Sequence, residues 1–296
     1  MSPTLLVTGA SGPLGRRVIA HLLQTHGVAA SKIIATTRKP EALADLAAQG
    51  VQVRQADFED PASLVAAFTG AQRLLLISTD AVDRPGRRLA QHQAAVAAAV
   101  QAGVQHVVYT SMPRPEPGSP IPFAPDHYGT EQALAASPLS WTVLRHSWYM
   151  ENLFMSLPQA LGSGQWFTAA GEGRIAHVSR EDCARADAAA LASSSTTKAT
   201  HLITGPSAQS TGEIAQLASE VVGKPIAVVQ VSPEALAQGL AAAGLPPFLV
   251  PLLVAFDVNT AAGHVATVSD AVKTLTGTAP QTLRDFLVAH KKALLS

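Results

Sequence analysis

The densest group of chemically suggestive residues lies at the start of the chain, where Gly9, Gly12 and Gly15 fall at every third position of Thr8-Gly9-Ala10-Ser11-Gly12-Pro13-Leu14-Gly15. Glycines spaced this way permit a tight turn, let backbone N–H groups approach an anion, and allow a following helix to pack close to a preceding strand. Pro13 suits the first turn of such a helix, whose N-terminal end favours negative charge. The chemistry implied is cradling a pyrophosphate, with Gly9, Ser11, Gly12, Pro13, Leu14 and Gly15 as candidate contacts to a dinucleotide. About twenty residues further on, dinucleotide sites place an acid for a free ribose or an arginine for a 2′-phosphate. The chain reads Ala35-Thr36-Thr37-Arg38-Lys39 there, without an acid. Arg38 offers a forked set of donors to a phosphate and Lys39 adds charge. NADPH is therefore expected over NADH.

Further candidates recur where later strands end. Asp57 can accept from an adenine amino group and Phe58 can flank the ring, whereas Asp60 better suits capping the helix that begins at Pro61. Ser78 and Thr79 are small enough to let a dinucleotide pass. Tyr109, Thr110 and Ser111 end the fifth strand, where the nicotinamide is expected. His127 can hydrogen-bond the nicotinamide ribose or a substrate oxygen and carry a proton near neutral pH. Trp148, Tyr149 and Asn152 follow the sixth strand as candidate substrate contacts, the aromatics for stacking and Tyr149 and Asn152 for an oxygen atom. For Trp148 the favoured reading is packing that fastens a second lobe to the sheet; for Tyr149 both readings stay open. His127 and Tyr149 are the catalytic candidates. Arg145, ending a buried strand, reads as a structural hydrogen-bonding residue; Asp182 and Asp187 read as capping or surface residues. Phe154, Trp166 and Phe167 read as core or lobe-interface residues.

The elements that must position these residues are legible in the hydrophobic pattern. Apolar runs at 5–8, 33–36, 51–54, 74–77, 107–110 and 142–144 are short and bounded by turn residues, as buried parallel strands are. Helical patterns at 13–26, 41–49, 61–68, 87–102 and 126–136 alternate with them. The alternation predicts an α/β fold, a Rossmann-type doubly wound parallel sheet with helices on both faces. After residue 145 the rhythm breaks. Ser179-Arg180-Glu181-Asp182 and Ser210-Thr211-Gly212-Glu213 resemble helix-capping boxes, and 192–200 reads as a loop. Residues 1–150 are expected to form an NADP-binding domain. Residues 151–296 would form a smaller α/β lobe over the sheet's C-terminal edge, with segments free to interleave.

Composition narrows the function classes. Hydrophobic residues make up 47% of the 296 and charged residues 14%, enough apolar material for a large core and too much for disorder. Lys+Arg and Asp+Glu are 21 each, which argues against a nucleic-acid partner. The single cysteine, Cys183, excludes a disulfide framework within the chain, and packing is its expected role. The scattered histidines show no metal-ligand spacing, so no metal is expected. Pro246, Pro247 and Pro251 interrupt the most apolar late stretch, so no membrane span is expected. A cytoplasmic location follows as the default. The sequence leaves monomer and homodimer both open.

Taken together, the glycine loop, Arg38, Asp57-Phe58, Tyr109-Thr110-Ser111 and Trp141-Thr142-Val143-Leu144-Arg145 resemble the atypical, NmrA-like branch of the short-chain dehydrogenase/reductase superfamily. The runs Arg145-His146-Ser147-Trp148-Tyr149-Met150-Glu151-Asn152 and His127-Tyr128-Gly129-Thr130-Glu131 resemble its type 2 quinone-reducing members, with triphenylmethane-dye reductases close by. The similarity runs over nearly the whole chain. It implies reduction of a quinone or similar planar acceptor by NADPH; an NADP(H)-sensing regulator without turnover is the alternative. Most of the superfamily carries a Tyr-x-x-x-Lys catalytic pair. Alignment on Glu131 puts Phe123 and His127 at those positions, and the shifted register Tyr128-x-x-x-Gln132 lacks the ammonium that lowers a phenol pKa.

Overall fold

The computed structural model describes residues 3–295. The wholly buried strand Leu5–Val7 (β1) leads through the glycine loop into Pro13–Gln24 (α1), with Gly12 at the N-cap and Pro13 in the first turn. There follow Ile33–Thr37 (β2), Ala44–Ala48 (α2), Gln52–Gln55 (β3), Pro61–Phe68 (α3), Arg73–Leu76 (β4) and Arg87–Gln101 (α4). His106–Ser111 (β5), Ala124–Ala136 (α5) and Ser140–His146 (β6) complete the alternation. Later elements are Leu157–Ser163 (α6), Gln165–Thr168 (β7), Arg174–Ile175 (β8), Arg180–Ala192 (α7), Ala199–Ile203 (β9), Gln209–Ser210 (β10) and Thr211–Val222 (α8). Ala227–Gln230 (β11), Pro233–Ala242 (α9), Val250–Ala261 (α10), Ala271–Thr276 (α11) and Leu283–Ala289 (α12) follow.

The central sheet is parallel throughout, in the order β3-β2-β1-β4-β5-β6-β9. The strand order reverses between β1 and β4, and ligands of open α/β sheets bind outside the strand ends at such a point. One face is covered by α1 and α7, where Val18, Ile19 and Leu22 meet the small residues Ala184, Ala186 and Ala188. The other is covered by α3, α4 and α5 through Leu64, Phe68, Val96, Ala99 and Leu134. Removing each of these larger aliphatic side chains from water contributes about 1.5–3 kcal/mol.

Two features differ from the sequence expectation. The stretch expected as a loop ends in β9, which pairs with β6 from Thr142↔Ala199 to His146↔Ile203. As a half-exposed edge strand it lacks the apolar run that marks β1 or β4. Second, α5 begins at Ala124, two residues before the expected start. The segments interleave across residue 150, because α7 and β9 pack on or pair with the first half. The remaining C-terminal elements enclose a separate cluster of Leu153, Leu157, Ile214, Phe286 and Leu287, against which Phe154 and Trp166 pack. The capping box at Ser210 and Glu213 is formed in full. At Ser179 the side chain accepts from the Asp182 N–H.

Candidate functional site

The glycine loop is held by its own backbone. Ala10 N–H donates to Thr36 O at 3.1 Å and Gly12 N–H to Gly9 O at 2.9 Å. Gly9 has φ +58°, and a Cβ on Gly15 would lie 2.5 Å from Gly9 O and 2.8 Å from Ala10 Cα. Only glycine fits so close a crossing of loop and helix. No side chain caps the N-terminus of α1, so its first N–H groups are left for an anion. Ser11 Oγ lies 3.1 Å from Thr37 Oγ1, tying the loop to the end of β2. Arg38 follows, exposed and in none of the ion pairs among the described residues. The nearby Arg16 is instead held by Asp45 at 2.9 Å.

The neighbouring strand ends supply short polar groups. Asp60 caps α3 by accepting from Ala62 N–H at 3.1 Å, as its place before Pro61 suggests. Asp57 Oδ1 accepts from Glu59 N–H at 3.0 Å, which orients the carboxylate, and Phe58 packs partly against the core below. Ser78 N–H donates to Thr110 Oγ1 at 2.9 Å, and Thr79 N–H to His92 Nε2 at 3.0 Å. Ser111 Oγ donates to Glu131 Oε1 at 2.6 Å. Arg145 grips the same carboxylate with two bonds of 3.0 and 2.6 Å, the structural role its strand-end position suggests.

Tyr109 belongs to this row, but its side chain is fully buried beneath the sheet, so any ligand contact there must come from its main chain. Its hydroxyl lies 2.9 Å from His127 Nδ1. The network sets the His92 tautomer. His92 Nε2 accepts from Thr79, so its Nδ1–H donates to Thr130 Oγ1 at 2.9 Å, and Thr130 in turn donates to Asp126 O. The Tyr109 hydroxyl and His127 Nδ1 share one proton across their 2.9 Å contact. Burial lowers His92 to about 3 and holds His127 well below the ordinary imidazole range, with Arg88 adding to both shifts. His127 is thus a neutral imidazole. It is not the imidazolium acid that its type alone suggests.

Tyr149 is the outer member of a second chain. Its hydroxyl lies 3.3 Å from His146 Nδ1, and His146 Nε2 lies 2.9 Å from Asp187 Oδ1. Asp187 is 0% exposed, so the expected capping or surface role is corrected: it orients His146. Burial pushes the Tyr149 phenol well above its ordinary value, and the neighbouring Cys183 and Asp187 add to the shift. Tyr149 therefore stays protonated as a donor. The Arg180 guanidinium lies 5.1 Å from the centre of its ring, covering a face expected to stack on substrate. Cys183 is buried, and burial raises its thiol well above the usual range, so it packs.

Beyond these groups the C-terminal lobe encloses a cavity of 670 Å³, lined among others by Trp148, Asn152, His177, Phe256, Asp257 and Thr260. Phe167 also lines it and is 50% exposed, which corrects its expected core position. An aromatic series connects the cavity wall to His127. Trp148 and Phe256 have centroids 5.0 Å apart, Phe256 and Phe123 6.3 Å, and Phe123 and His127 6.0 Å. Asp257 Oδ2 accepts from Thr168 Oγ1 and Ala169 N–H at 2.8 and 2.7 Å. Burial lowers His177 to about 4.

Sequence reasoning missed Arg88, His146, Asp187, His177 and Asp257. No motif contains Arg88, Asp187 or Asp257, and their burial follows from packing between distant segments. His146 stands inside the quoted Trp-Tyr run, where its place one residue before Ser147-Trp148 was the available signal. Among the described residues no group of three or more His, Cys, Asp or Glu could hold a metal ion, and no helix is long and apolar enough to cross a membrane.

Known proteins resemble the chain over nearly its whole length. The chain is 37% identical over 281 residues to quinone oxidoreductase 2 of Escherichia coli (strain K12), covering 95% of this chain and 96% of that protein. The structure of the NADPH-dependent quinone oxidoreductase from Escherichia coli complexed with NADPH superposes with a TM-score of 0.90 at 37% identity, over 97% of this chain and 99% of that one. Citrobacter sp. triphenylmethane reductase complexed with NADP(H) gives 0.88 at 35% identity, over 97% and 99%. The NmrA-like family matches residues 1–279, and the chain belongs to it.

Proposed function

We propose that this protein binds NADPH and reduces a quinone or a similarly planar conjugated acceptor. The observation that carries the cofactor assignment is the glycine cradle, too tight for a Cβ at Gly15, beside an exposed and unpaired Arg38. Gly9, Ser11, Gly12, Pro13, Leu14 and Gly15 would hold the pyrophosphate and Arg38 the 2′-phosphate. Asp57 and Phe58 would take the adenine, and Ser78, Thr79, Thr110, Ser111 and the main chain of Tyr109 would flank the path to the nicotinamide. When bound, the reduced nicotinamide supplies the hydride; the protein supplies position.

The chain's own groups fit an acceptor that needs little acid assistance. A quinone receiving a hydride becomes a hydroquinone anion whose charge spreads into a ring, so a strong proton donor matters less than for an alkoxide. His127 is a neutral imidazole and Tyr149 a protonated hydroxyl, groups that can hydrogen-bond an acceptor oxygen. Trp148 and Asn152 provide an apolar wall and an amide at the cavity. The known activities of the two reductases above support the same choice of acceptor.

The test mixes purified protein with NADPH and benzoquinone and follows loss of the reduced-cofactor absorbance. Oxidation much faster with NADPH than with NADH is expected. Tight NADPH binding with no oxidation by benzoquinone or a triphenylmethane dye would refute the enzyme and favour a dinucleotide sensor.

A further inference from the structure

Two arginines are buried, and their surroundings differ. Arg73 donates to Leu191 O at 2.8 Å, Ser195 O at 2.9 Å and Ala190 O at 3.1 Å, fastening the end of α7. Arg88, the second residue of α4, is only 7% exposed. Its Nε is sealed without a hydrogen-bond partner. None of the side-chain hydrogen bonds or ion pairs among the described residues engages its guanidinium, which lies 5.4 Å from the centre of the Phe123 ring. Asp126 and Asp80 act on it only from beyond ion-pair distance. A buried cation without a partner is costly, and such a group calls for an explanation in ligand or function.

Its place supplies one. Arg88 is near enough to Tyr109, Tyr149 and His127 to bias their ionisation. Phe123, against which it lies, touches both His127 and Phe256 of the cavity wall. Of the other basic groups close by, Arg145 is held by Glu131 and Glu116, and the Arg180 guanidinium lies over the Tyr149 ring at 5.1 Å. A buried cation with no ion-pair partner interacts strongly with any charge that develops beside it.

We infer that Arg88 is the anion-receiving group of this site and holds the phenolate-type oxygen formed when a planar acceptor is reduced. The proposal rests on the function proposed above. With NADPH bound, a hydride, one proton with two electrons, would pass from the reduced nicotinamide to the acceptor and leave the oxidised pyridinium. One quinone oxygen would end as a hydroxyl and the other as a phenolate, and a proton from water, with hydroxide left to the solvent, would complete the hydroquinone. Arg88 stabilises the anion before that proton arrives and gives up no proton itself.

The test uses 4-nitrophenol, whose anion is coloured and whose neutral form is not, with protein saturated by NADP+. The bound probe should ionise at least about one pKa unit lower on the native protein than on Arg88→Met, a tenfold preference for the anion. Arg88→Lys should restore part of the shift. Arg88→Met should keep its NADP+ affinity and melt no lower than the native protein, because an unpaired buried cation is replaced by an apolar chain of similar length. With benzoquinone the loss should fall on kcat rather than KM. An unchanged ionisation of the probe, or a loss of NADP+ affinity in Arg88→Met, would overturn the assignment while leaving the cofactor proposal standing. Failure of the native protein to take up NADP+ at all would overturn both.

Discussion

Replacing Arg38 by alanine separates the two nicotinamide dinucleotides. Arg38 is exposed and takes part in no ion pair among the described residues, so the substitution should change folding stability by no more than about 0.5 kcal/mol. A hydrogen bond to a charged group contributes about 1.5–3 kcal/mol, and a guanidinium can make two to one phosphate. Solvent screens both, and Lys39 remains beside the site. A net loss of about 2 kcal/mol is therefore expected, which is about thirtyfold in affinity at 1.4 kcal/mol per factor of ten. NADH has no 2′-phosphate and should bind the variant about as well as the native protein. The assay is fluorescence titration of both dinucleotides against both proteins at low and high salt, with the NADPH preference shrinking as salt rises. Equal weakening for NADH and NADPH would refute a 2′-phosphate contact. So would an unchanged NADPH affinity accompanied by a large loss in Lys39→Ala.

Gly15→Ala forces a Cβ to 2.5 Å from Gly9 O; overpacking of this kind costs about 1–3 kcal/mol, and urea denaturation should show that loss together with weakened binding of both dinucleotides. Asp187→Ala should cost about 1–3 kcal/mol by leaving the buried His146 Nε2 without its 2.9 Å partner, whereas Tyr149→Phe loses only a 3.3 Å contact and should cost less than about 1 kcal/mol; equal costs would contradict the chain from Asp187 through His146. Acid should destabilise the fold early, because burial lowers His92 to about 3 and His106 and His177 to about 4, from 6.5. The unfolded chain then binds protons that the native state refuses. The stability is fully present above pH 6.5 and is lost as pH falls from there towards 4, at up to about 1.4 kcal/mol per pH unit for each histidine. Asp257 and Asp126, both raised by burial, act in the opposite direction. A urea midpoint unchanged between pH 7 and pH 5 would show these rings to be accessible to protons in the native state.

The sheet and the phosphate loop were readable because their signals are local. Strands such as Leu5–Val7 are short apolar runs, and the glycine spacing has few uses after a strand and before a helix. Strand β9 was hidden because only Ile203 of Ala199–Ile203 is buried, at a sheet edge following a polar loop. The direction of Tyr109 was within reach of the sequence. Val107 and Tyr109 share one face of β5 and Val108 takes the other, as the two-residue strand period requires. The pairing of His146 with Asp187 was out of reach, since 41 residues separate them and only the packing of α7 against the sheet joins them. Arg88 shows the same limit: its neighbour Arg87 pairs with Asp83 and Glu59 at the surface, and in sequence the two arginines look alike.

The exchange of the superfamily's Tyr and Lys for Phe123 and His127 looks, in sequence, like a simple loss. In the fold, His127 has become neutral under burial, and Phe123 has become the ring against which a guanidinium rests. The buried cation of this site, Arg88, stands on α4, and His127 stands on α5. A lysine amine buried as Arg88 is would surrender its proton, whereas a guanidinium keeps its charge. The chemistry changes with it: an ammonium that lowers the pKa of a tyrosine serves an acceptor needing a proton in the transition state. A permanent cation flanked by neutral donors serves an acceptor that can carry negative charge on a conjugated ring. Charge stabilisation at such an oxygen does not require a group titrating near neutral pH, so the proposed site would serve a quinone-like acceptor without the usual acid.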